Sequence, residues 1–422
     1  MAHNPRLVIE GLRSGVPYRE MAKTVVFGRE KSIENMVRLM ESVEQNHAPK
    51  SPSYVIRANY GEGKTHLLHS LWGAAEERNW VVSMVSLSRE TPLDRLDQLY
   101  PKLMESTFIP GSSQPGITSI VTKALNEPQF LAAARALDFS PRITALLDNL
   151  VSHNEGFESL LADISGAFLS VSDLRKVYRQ NYGKSLQLPK STMREEIIEY
   201  FRLVDWFVQR AGFQGWLILF DELELIGKLG RAARSRAYAS MGRLITANLP
   251  HTLTAWALAS NFYTDVLIQR NDREESPHWL VARPKEEALA PQSEVALDAL
   301  LESKPLAPLS QQQIQSLLLQ IYELHQEAYE WPIPFTAEQL YHKVRELTPT
   351  QDTRLRTWVR LSLTVLDVWY QYQEDPMIVH VDLLTDSELS EEPEAPIPEV
   401  SLPEETAETE EQPALIERWR LF

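Results

Sequence analysis

A glycine-containing stretch, ANYGEGKT (58–65), has the residue types and spacing of a phosphate-binding loop. In the pattern G-x-x-x-x-G-K-[ST], small residues let backbone amides point at phosphates, the lysine reaches the β and γ phosphates, and the hydroxyl binds Mg²⁺. Ala58 replaces the first glycine, and a β-branched run before the loop and an apolar helical pattern after it supply the expected context. The residues predicted to bind a nucleotide are Asn59, Tyr60, Gly61, Glu62, Gly63, Lys64, Thr65 and His66.

Two adjacent acids, Asp221 and Glu222, end the apolar run GWLILFDE (215–222). A buried parallel strand delivers the residues at its carboxyl end to a ligand crevice. We predict that Asp221 holds Mg²⁺ through water, together with Thr65, and that Glu222 polarises the water that attacks the γ-phosphate. Adjacent acids are also typical of a charge pair at a helix N-terminus, but the upstream lysine loop favours the catalytic interpretation.

A third apolar run, TAWALAS (254–260), ends directly before Asn261. ATPases of this architecture place a polar sensor there, between the attacking water and the γ-phosphate, and we predict this role for Asn261. An asparagine that only begins a turn is the alternative. The sequence has no N-K-x-D motif for guanine, so ATP is favoured over GTP.

The composition excludes several other classes of site. The 422 residues include no cysteine, which excludes disulfides, thiolate-bound zinc and a cysteine nucleophile. No histidine pair has metal-ligand spacing, so a metal is expected to arrive with its ligand, as Mg²⁺ does with ATP. The sequence has no apolar run of about 18 residues and no secretory h-region at its start, which predicts a cytoplasmic protein without a membrane span.

The negative charge is concentrated at one end of the chain. The segment 386–411 holds eleven acidic residues and four prolines, and removing those eleven charges from the net charge of −16 leaves −5. A body so nearly neutral can carry a basic face, so the overall acidity does not exclude a nucleic-acid partner.

Alternating strand and helix patterns predict an α/β fold with a parallel sheet. The strands are expected in YVIRA, VVSMVSL, WLILFDE and TAWALAS. Four parts are predicted along the chain: an N-terminal flank (1–50), an ATPase domain (51–285) with a helical insert at about 101–200, a helical C-terminal domain, lid or winged-helix-like (286–383), and a disordered acidic tail (384–422). The tail ends in the apolar and basic tip ALIERWRLF, which we expect to dock on a partner or a neighbouring subunit.

Several segments, notably EGLRSGVPYREMAK, ANYGEGKTHLL and AGFQGWLILFDELE, resemble the P-loop ATP-binding proteins of BREX phage-defence systems, the BrxC/BrxD type. The resemblance covers roughly residues 6 to 370. It implies a RecA-like, AAA+ or origin-recognition type ATPase in prokaryotic antiviral defence. The implied partners are a helicase, a nuclease or a methyltransferase, and DNA.

The resemblance also extends to residues outside the central motifs. VFGRE (26–30) is similar to the stretch that brackets adenine in AAA+ proteins, which implies that Gly28 and Arg29 lie near the base. Arg354 and Arg356 are implied as sensor arginines, with a solvated helix face as the alternative. An arginine finger toward a neighbouring subunit, and hence a homo-oligomer or a hetero-complex, is expected with five candidates: Arg231, Arg234, Arg236, Arg270 and Arg273. The alternatives are a DNA-facing pore lined by the first three and a solvated surface.

The stretch VSDLRKVYRQNYGKSLQLPKST (171–192) is the most basic and aromatic part of the insert. Lys176, Arg179, Lys184 and Lys190, with Tyr178 and Tyr182, are candidates for a surface that follows a phosphate backbone, the alternative being a solvated face. Together these patterns predict a Mg-ATP-hydrolysing protein of a defence complex that acts on DNA or on a DNA-acting partner. The alternatives are a nucleotide-gated scaffold that does not itself bind DNA, and a signalling switch of the STAND type.

Overall fold

A computed structural model describes residues 4–15, 21, 25, 28–47, 51–152, 156–348 and 354–373. The predicted acidic tail and its apolar tip (384–422) lie outside these residues. Five strands form one sheet in the order β1-β5-β4-β2-β3. The strands are β1 (Ser53–Ala58), β2 (Trp80–Ser86), β3 (Thr107–Phe108), β4 (Gly215–Asp221) and β5 (Thr252–Ala259).

The pairings β1–β5, β5–β4 and β4–β2 are parallel. This confirms the predicted α/β fold with its parallel sheet. The short edge strand β3 was not predicted, and it pairs with β2 in the antiparallel direction through Val82 and Phe108.

Helices account for most of the remaining described chain. In chain order they are α1 (Pro5–Ser14), α2 (Glu30–Glu44), α3 (Lys64–Glu77), α4 (Leu96–Glu105), α5 (Ile117–Leu125), α6 (Phe130–Arg135), α7 (Pro141–Val151), α8 (Phe157–Ala162), α9 (Val171–Tyr182), α10 (Met193–Arg210), α11 (Arg231–Thr246), α12 (Ser260–Phe262), α13 (Asp272–Val281), α14 (Ala290–Glu302), α15 (Gln311–Tyr329), α16 (Ala337–Leu347) and α17 (Leu355–Tyr372). A π-helical turn follows α8 at Asp163–Ala167, and another follows α12 at Tyr263–Gln269. None of the helices in the described ranges is long and apolar enough to cross a membrane.

The middle strands are apolar because helices cover both faces of the sheet. Every residue of β4 and of β5 is buried. On one face, α2 and α3 pack Met36, Met40 and Leu71 against the strands. On the other, α10 and α11 contribute Phe201, Met241 and their neighbours. This double cover fixes the sheet, so the carboxyl ends of β1, β5 and β4 form a stable edge for a site.

The helical insert has its own buried polar network. Arg142 on α7 forms an ion pair of 2.9 Å with Asp163, and the Tyr200 hydroxyl donates to the same carboxylate at 2.6 Å. The segment 124–139 is divided between α5 and α6, with Pro128 in the break.

A second core joins the two ends of the described chain. It contains Ile9 and Leu12 of α1 together with Leu317, Ile321 and Leu361 of the C-terminal helices α15 and α17. The predicted N-terminal flank is thus divided, because α1 packs with the C-terminal helices whereas α2 packs on the sheet.

Helix α14 belongs by its packing to the sheet core rather than to the C-terminal helices. Its Ala296, Leu297 and Leu300 are part of that core. It also approaches α11 so closely that a Cβ at Gly242 would lie 1.7 Å from the Gln292 carbonyl oxygen. The division of the chain into domains stays a prediction, and this packing favours a boundary after α14 rather than at 285.

Candidate nucleotide-binding site

The glycine loop connects the end of β1 to the start of α3, at the carboxyl edge of the sheet. Gly61 and Gly63 have φ values of 78° and 85°, a left-handed conformation that favours glycine. A Cβ at Gly63 would lie 2.9 Å from Leu355 Cδ2, so the loop also needs glycine for its close contact with α17. The amides at the start of α3 are not used within the helix and can bind an anion.

The polar side chains of the loop partly hold the loop itself. Glu62 accepts hydrogen bonds from the Asn59 amide at 2.8 Å and from Asn59 Nδ2 at 3.0 Å. Asn59 and Glu62, both predicted to bind nucleotide, therefore shape the loop through their side chains in this structure.

Lys64 lies inside the loop. Its side chain is buried, its Nζ is 3.4 Å from the carbonyl oxygens of Ala58 and Asn59, and it lies 4.8 Å from the centre of the Tyr60 ring. These contacts hold the ammonium group beside the loop amides, where a phosphate group would meet both.

The hydroxyl of Thr65 donates a hydrogen bond of 2.6 Å to Asp221 Oδ2. Asp221 is the last residue of β4 and is only 2% exposed. A hydroxyl and a carboxylate oxygen are ligands that Mg²⁺ accepts beside the phosphates it accompanies. The fold thus brings together the two residues that were predicted to hold Mg²⁺.

Glu222 follows Asp221 at the cavity wall, and its backbone is unusual. Its φ is 59°, a left-handed value that costs a residue other than glycine about 1–3 kcal/mol. Its amide donates to Asp221 Oδ1 at 2.9 Å, and the residue is exposed at the edge of the cavity. The turn therefore aims the Glu222 side chain away from the strand while the Asp221 side chain stays buried.

Glu224 also lines the cavity, although it was not among the predicted site residues. It accepts a hydrogen bond of 3.0 Å from the amide of Ala259, at the end of β5. Burial raises the pKa of its carboxyl group, and the nearby charge of Lys64 opposes that rise. The repeated acids of the sequence DELE were the available signal for this residue.

Tyr60 and Glu224 both line the cavity. Burial, together with the charge of Glu224, raises the pKa of the Tyr60 hydroxyl to about 12. Asn261, the predicted sensor, follows the carboxyl end of β5, which lies between β1 and β4 in the sheet. Its Oδ1 accepts from the amide of Phe262 at 2.9 Å, and the residue does not line the cavity.

The cavity, of about 250 Å³, lies between the loop and a wall from α1 and α17. Apart from Arg356, an implied sensor arginine, the residues of this wall were not predicted. Its apolar members are Leu12, Met21, Leu355 and Val359. Gly15 ends α1 with a φ of 70° and, like Gly11, also lines the cavity. The stretch EGLRSG, noted only for its resemblance, thus forms part of the site.

Arg356 is the charged residue of this wall. Its amide donates a hydrogen bond of 2.9 Å to the Gly61 carbonyl oxygen, and its half-buried side chain lines the cavity. Burial and the positive charges of Arg360 and Arg354 lower its pKa. No described carboxylate forms an ion pair with Arg356. The positive charge at this part of the cavity therefore favours binding of an anion. Arg354 lies close to Gly61 but does not line the cavity.

Gly28 and Arg29 do not line the cavity, which differs from the implied position beside the base. The Arg29 guanidinium donates to the carbonyl oxygens of Ala307 at 2.5 Å and of Glu62 at 3.1 Å. The Gly28 carbonyl accepts from Gln313 Nε2 at 2.9 Å. The guanidinium group thus binds two backbone carbonyls, one of them in the glycine loop, and Arg29 supports the backbone of that loop.

His66, the last of the loop residues predicted, lines the cavity. Its Nε2 is 2.9 Å from the Val25 carbonyl oxygen, and burial lowers its pKa to about 3. The ring is therefore neutral at ordinary pH and donates from Nε2 to that carbonyl.

The five candidate finger arginines differ in their surroundings. Arg234 is ion-paired with Asp272 at 2.6 Å and is largely buried. Arg231 and Arg273 are exposed, and each forms an ion pair with an acid of the same chain. Arg270 donates to a backbone carbonyl oxygen. The half-buried Arg236 forms an ion pair with Glu286. Burial of its ion pair distinguishes Arg234 from the other four candidates and favours a structural role.

No curated protein matches this chain. A solved structure, the Walker-type ATPase PABY2304 of Pyrococcus abyssi, is 12% identical with a TM-score of 0.34, over 83% of this chain and 69% of that chain. A family model described as "BREX system ATP-binding protein BrxC/D" matches residues 2–160 and 176–383, which include the loop, both acids, Asn261 and Arg356. The chain therefore belongs to the BrxC/D family of BREX system ATP-binding proteins.

Proposed function

We propose that this chain binds Mg-ATP and hydrolyses it, as a cytoplasmic ATPase of a prokaryotic antiphage defence complex. The observation that carries the proposal is the contact of 2.6 Å between Thr65 and Asp221, beside the buried ammonium group of Lys64. Family membership supports ATP as the nucleotide.

Each side chain of the site has a distinct task in this reaction. Lys64 and the first amides of α3 bind the β and γ phosphates, while Thr65 and Asp221 would hold the Mg²⁺ that arrives with ATP. Bound Mg²⁺ neutralises charge that develops on the phosphates. Glu222 orients the attacking water, and Asn261 contacts it or the γ-phosphate from the end of β5.

The wall opposite the loop supplies the remaining contacts. Arg356 faces the phosphates with a positive charge, and its apolar neighbours Leu12, Met21 and Val359 offer a surface for the base. Because α1 and α17 pack in one core, binding at this wall is coupled to the position of the C-terminal helices.

Binding is tested by thermal unfolding with and without Mg-ATP. A ligand that binds only the folded state stabilises it by about 2.7 kcal/mol at 100 times its dissociation constant. We expect this stabilisation in the wild type and in the exposed-surface control Lys285→Ala, and its loss in Lys64→Ala. An equal stabilisation of all three proteins would end the proposal.

The target of the ATPase is proposed to be DNA or a DNA-acting partner, such as a helicase, a nuclease or a methyltransferase. A hydrolysis rate that DNA stimulates, with steep salt dependence, supports direct action on DNA. Stimulation by a protein partner alone supports the second candidate, a nucleotide-gated scaffold.

A further inference from the structure

Helix α9 and the segment that follows it carry a row of positive charges. Five cationic residues are exposed there: Arg175, Lys176, Arg179, Lys184 and Lys190. We call this surface the α9 basic face. Its helical members stand one, three and four positions apart, so they share one side of α9, opposite the buried Leu174 and Val177.

The α9 basic face includes the following loop as well as the helix. Arg175 Nη2 donates a hydrogen bond of 3.4 Å to the Leu188 carbonyl oxygen, which holds the segment 184–190 alongside α9. Lys184 directly follows Gly183, the left-handed residue that ends the helix. The loop lysines are therefore held near the helical cations.

The α9 basic face lacks the acidic partners found elsewhere on this protein. No described carboxylate forms an ion pair with any of its five cations, whereas the exposed Arg231 and Arg273 each pair with a glutamate or aspartate. The nearest acid on the helix, Asp173, lies two residues before Arg175 in the first turn of α9, where it accepts from Ser170 Oγ at 2.6 Å. Like charges at these helical spacings repel one another weakly, and a bound external anion would relieve that repulsion.

An aromatic pair accompanies the charges. The rings of Tyr178 and Tyr182 lie 4.7 Å apart, and Tyr182 is 40% exposed, although its hydroxyl donates to the Asp148 carbonyl oxygen. Exposed aromatic rings between cations are the combination that binds single strands, since every base has a face that stacks.

We propose that the α9 basic face binds the phosphate backbone of a nucleic acid, with Tyr182 available to stack on an unpaired base. The proposal deepens the proposed action on DNA by naming the surface that contacts it. The face lies in the insert, and none of its residues lines the nucleotide cavity. Binding of the strand can thus be measured without ATP.

The test uses the full chain and a fluorescent oligodeoxythymidine of about 20 nucleotides, with a duplex of the same length as a second probe. Five phosphate contacts predict a salt slope of about −3.5 for a single strand, which is about a 100-fold loss of affinity between 50 and 200 mM salt. We expect Lys176→Glu/Arg179→Glu to bind at least tenfold more weakly. Because the double variant has two fewer phosphate contacts, its affinity should fall by only about 20-fold between 50 and 200 mM salt.

The matched control is Lys285→Glu/Lys304→Glu, which changes the charge equally at two exposed lysines outside the α9 basic face. It should bind like the wild type, and both double variants should keep the Mg-ATP stabilisation, which separates this proposal from the ATPase. A stronger signal for the single strand supports stacking, and equal binding of the duplex supports backbone contacts alone. Equal oligonucleotide binding by both variants would overturn the proposal. So would tighter binding of a peptide of residues 386–411, because the face would then serve the acidic tail.

Discussion

The amide of Arg356 donates a hydrogen bond of 2.9 Å to the carbonyl oxygen of Gly61, which ties the last described helix to the glycine loop. The contact places a guanidinium group at the nucleotide cavity without using that group for the attachment. The C-terminal helices are thus positioned by the loop backbone, while the Arg356 side chain stays available for the ligand.

Replacing Arg356 by alanine should therefore weaken nucleotide binding while the backbone contact remains. A hydrogen bond to a charged group contributes about 1.5–3 kcal/mol, which corresponds to roughly 10- to 100-fold in affinity. Titration with a fluorescent ATP analogue measures the loss. Arg360→Ala serves as a control, since Arg360 is on the same helix but does not line the cavity. If Arg356→Ala binds the analogue as tightly as Arg360→Ala, the Arg356 side chain does not contribute to nucleotide binding.

Glu222→Gln should keep nucleotide binding and lower the hydrolysis rate by roughly 10²- to 10⁴-fold, the range for loss of a general base. The amide has nearly the same shape, so the left-handed turn at this residue should persist. Single-turnover phosphate release measures the effect. If hydrolysis persists in Glu222→Gln and is lost in Glu224→Gln, the base is Glu224, which also lines the cavity.

The central part of the site could be predicted from sequence because its chemistry lies at the ends of apolar strands. Asp221 ends a strand, and Lys64, Thr65 and Asn261 follow strands. Apolar runs of β-branched and aromatic residues reveal these strands, and the parallel sheet brings their carboxyl ends to one edge. The α/β fold followed from the same alternation. The roles of the individual site residues stay predictions.

The wall of the cavity could not be predicted in the same way. Gly11, Leu12 and Gly15 reach the site because α1 packs in one core with α17, and local patterns do not reveal a contact between distant parts of the chain. Arg29 was placed beside the base by resemblance, yet its guanidinium binds two backbone carbonyls. Sequence gives the charge of a side chain but not the partner that it finds.

Arg234→Ala should destabilise the fold, because Arg234, one of the five candidate finger arginines, forms a buried ion pair with Asp272. Removing Arg234 leaves Asp272 buried without its ion pair, a loss of about 3–5 kcal/mol. Arg273→Ala removes an exposed pair, worth at most about 1 kcal/mol, and is the matched control. Urea denaturation compares the free energies of unfolding. If Arg234→Ala is as stable as the wild type but its oligomer does not hydrolyse ATP, Arg234 acts as an arginine finger.

Asp205 should make the stability of the fold fall as pH rises. Its carboxylate accepts from the Thr252 hydroxyl at 2.6 Å and from the His251 amide at 3.0 Å, and burial raises its pKa to about 7. An unfolded aspartate has a pKa of about 3.9, so the folded state binds the proton more tightly. The stabilisation from that proton is complete below pH 3.9 and is lost as pH rises to 7, by at most about 1.4 kcal/mol per pH unit.

The variant Asp205→Asn isolates this effect, because its amide oxygen can still accept both hydrogen bonds but does not titrate. Urea denaturation of both proteins at pH 5, 6, 7 and 8 gives the difference in unfolding free energy at each pH. We expect the wild type to lose stability relative to Asp205→Asn from pH 5 to 7, with a constant difference above that. The opposite contribution of His66, whose pKa is lowered, cancels because both proteins contain it. A difference that does not change with pH would show that Asp205 is ionised in the folded state throughout this range.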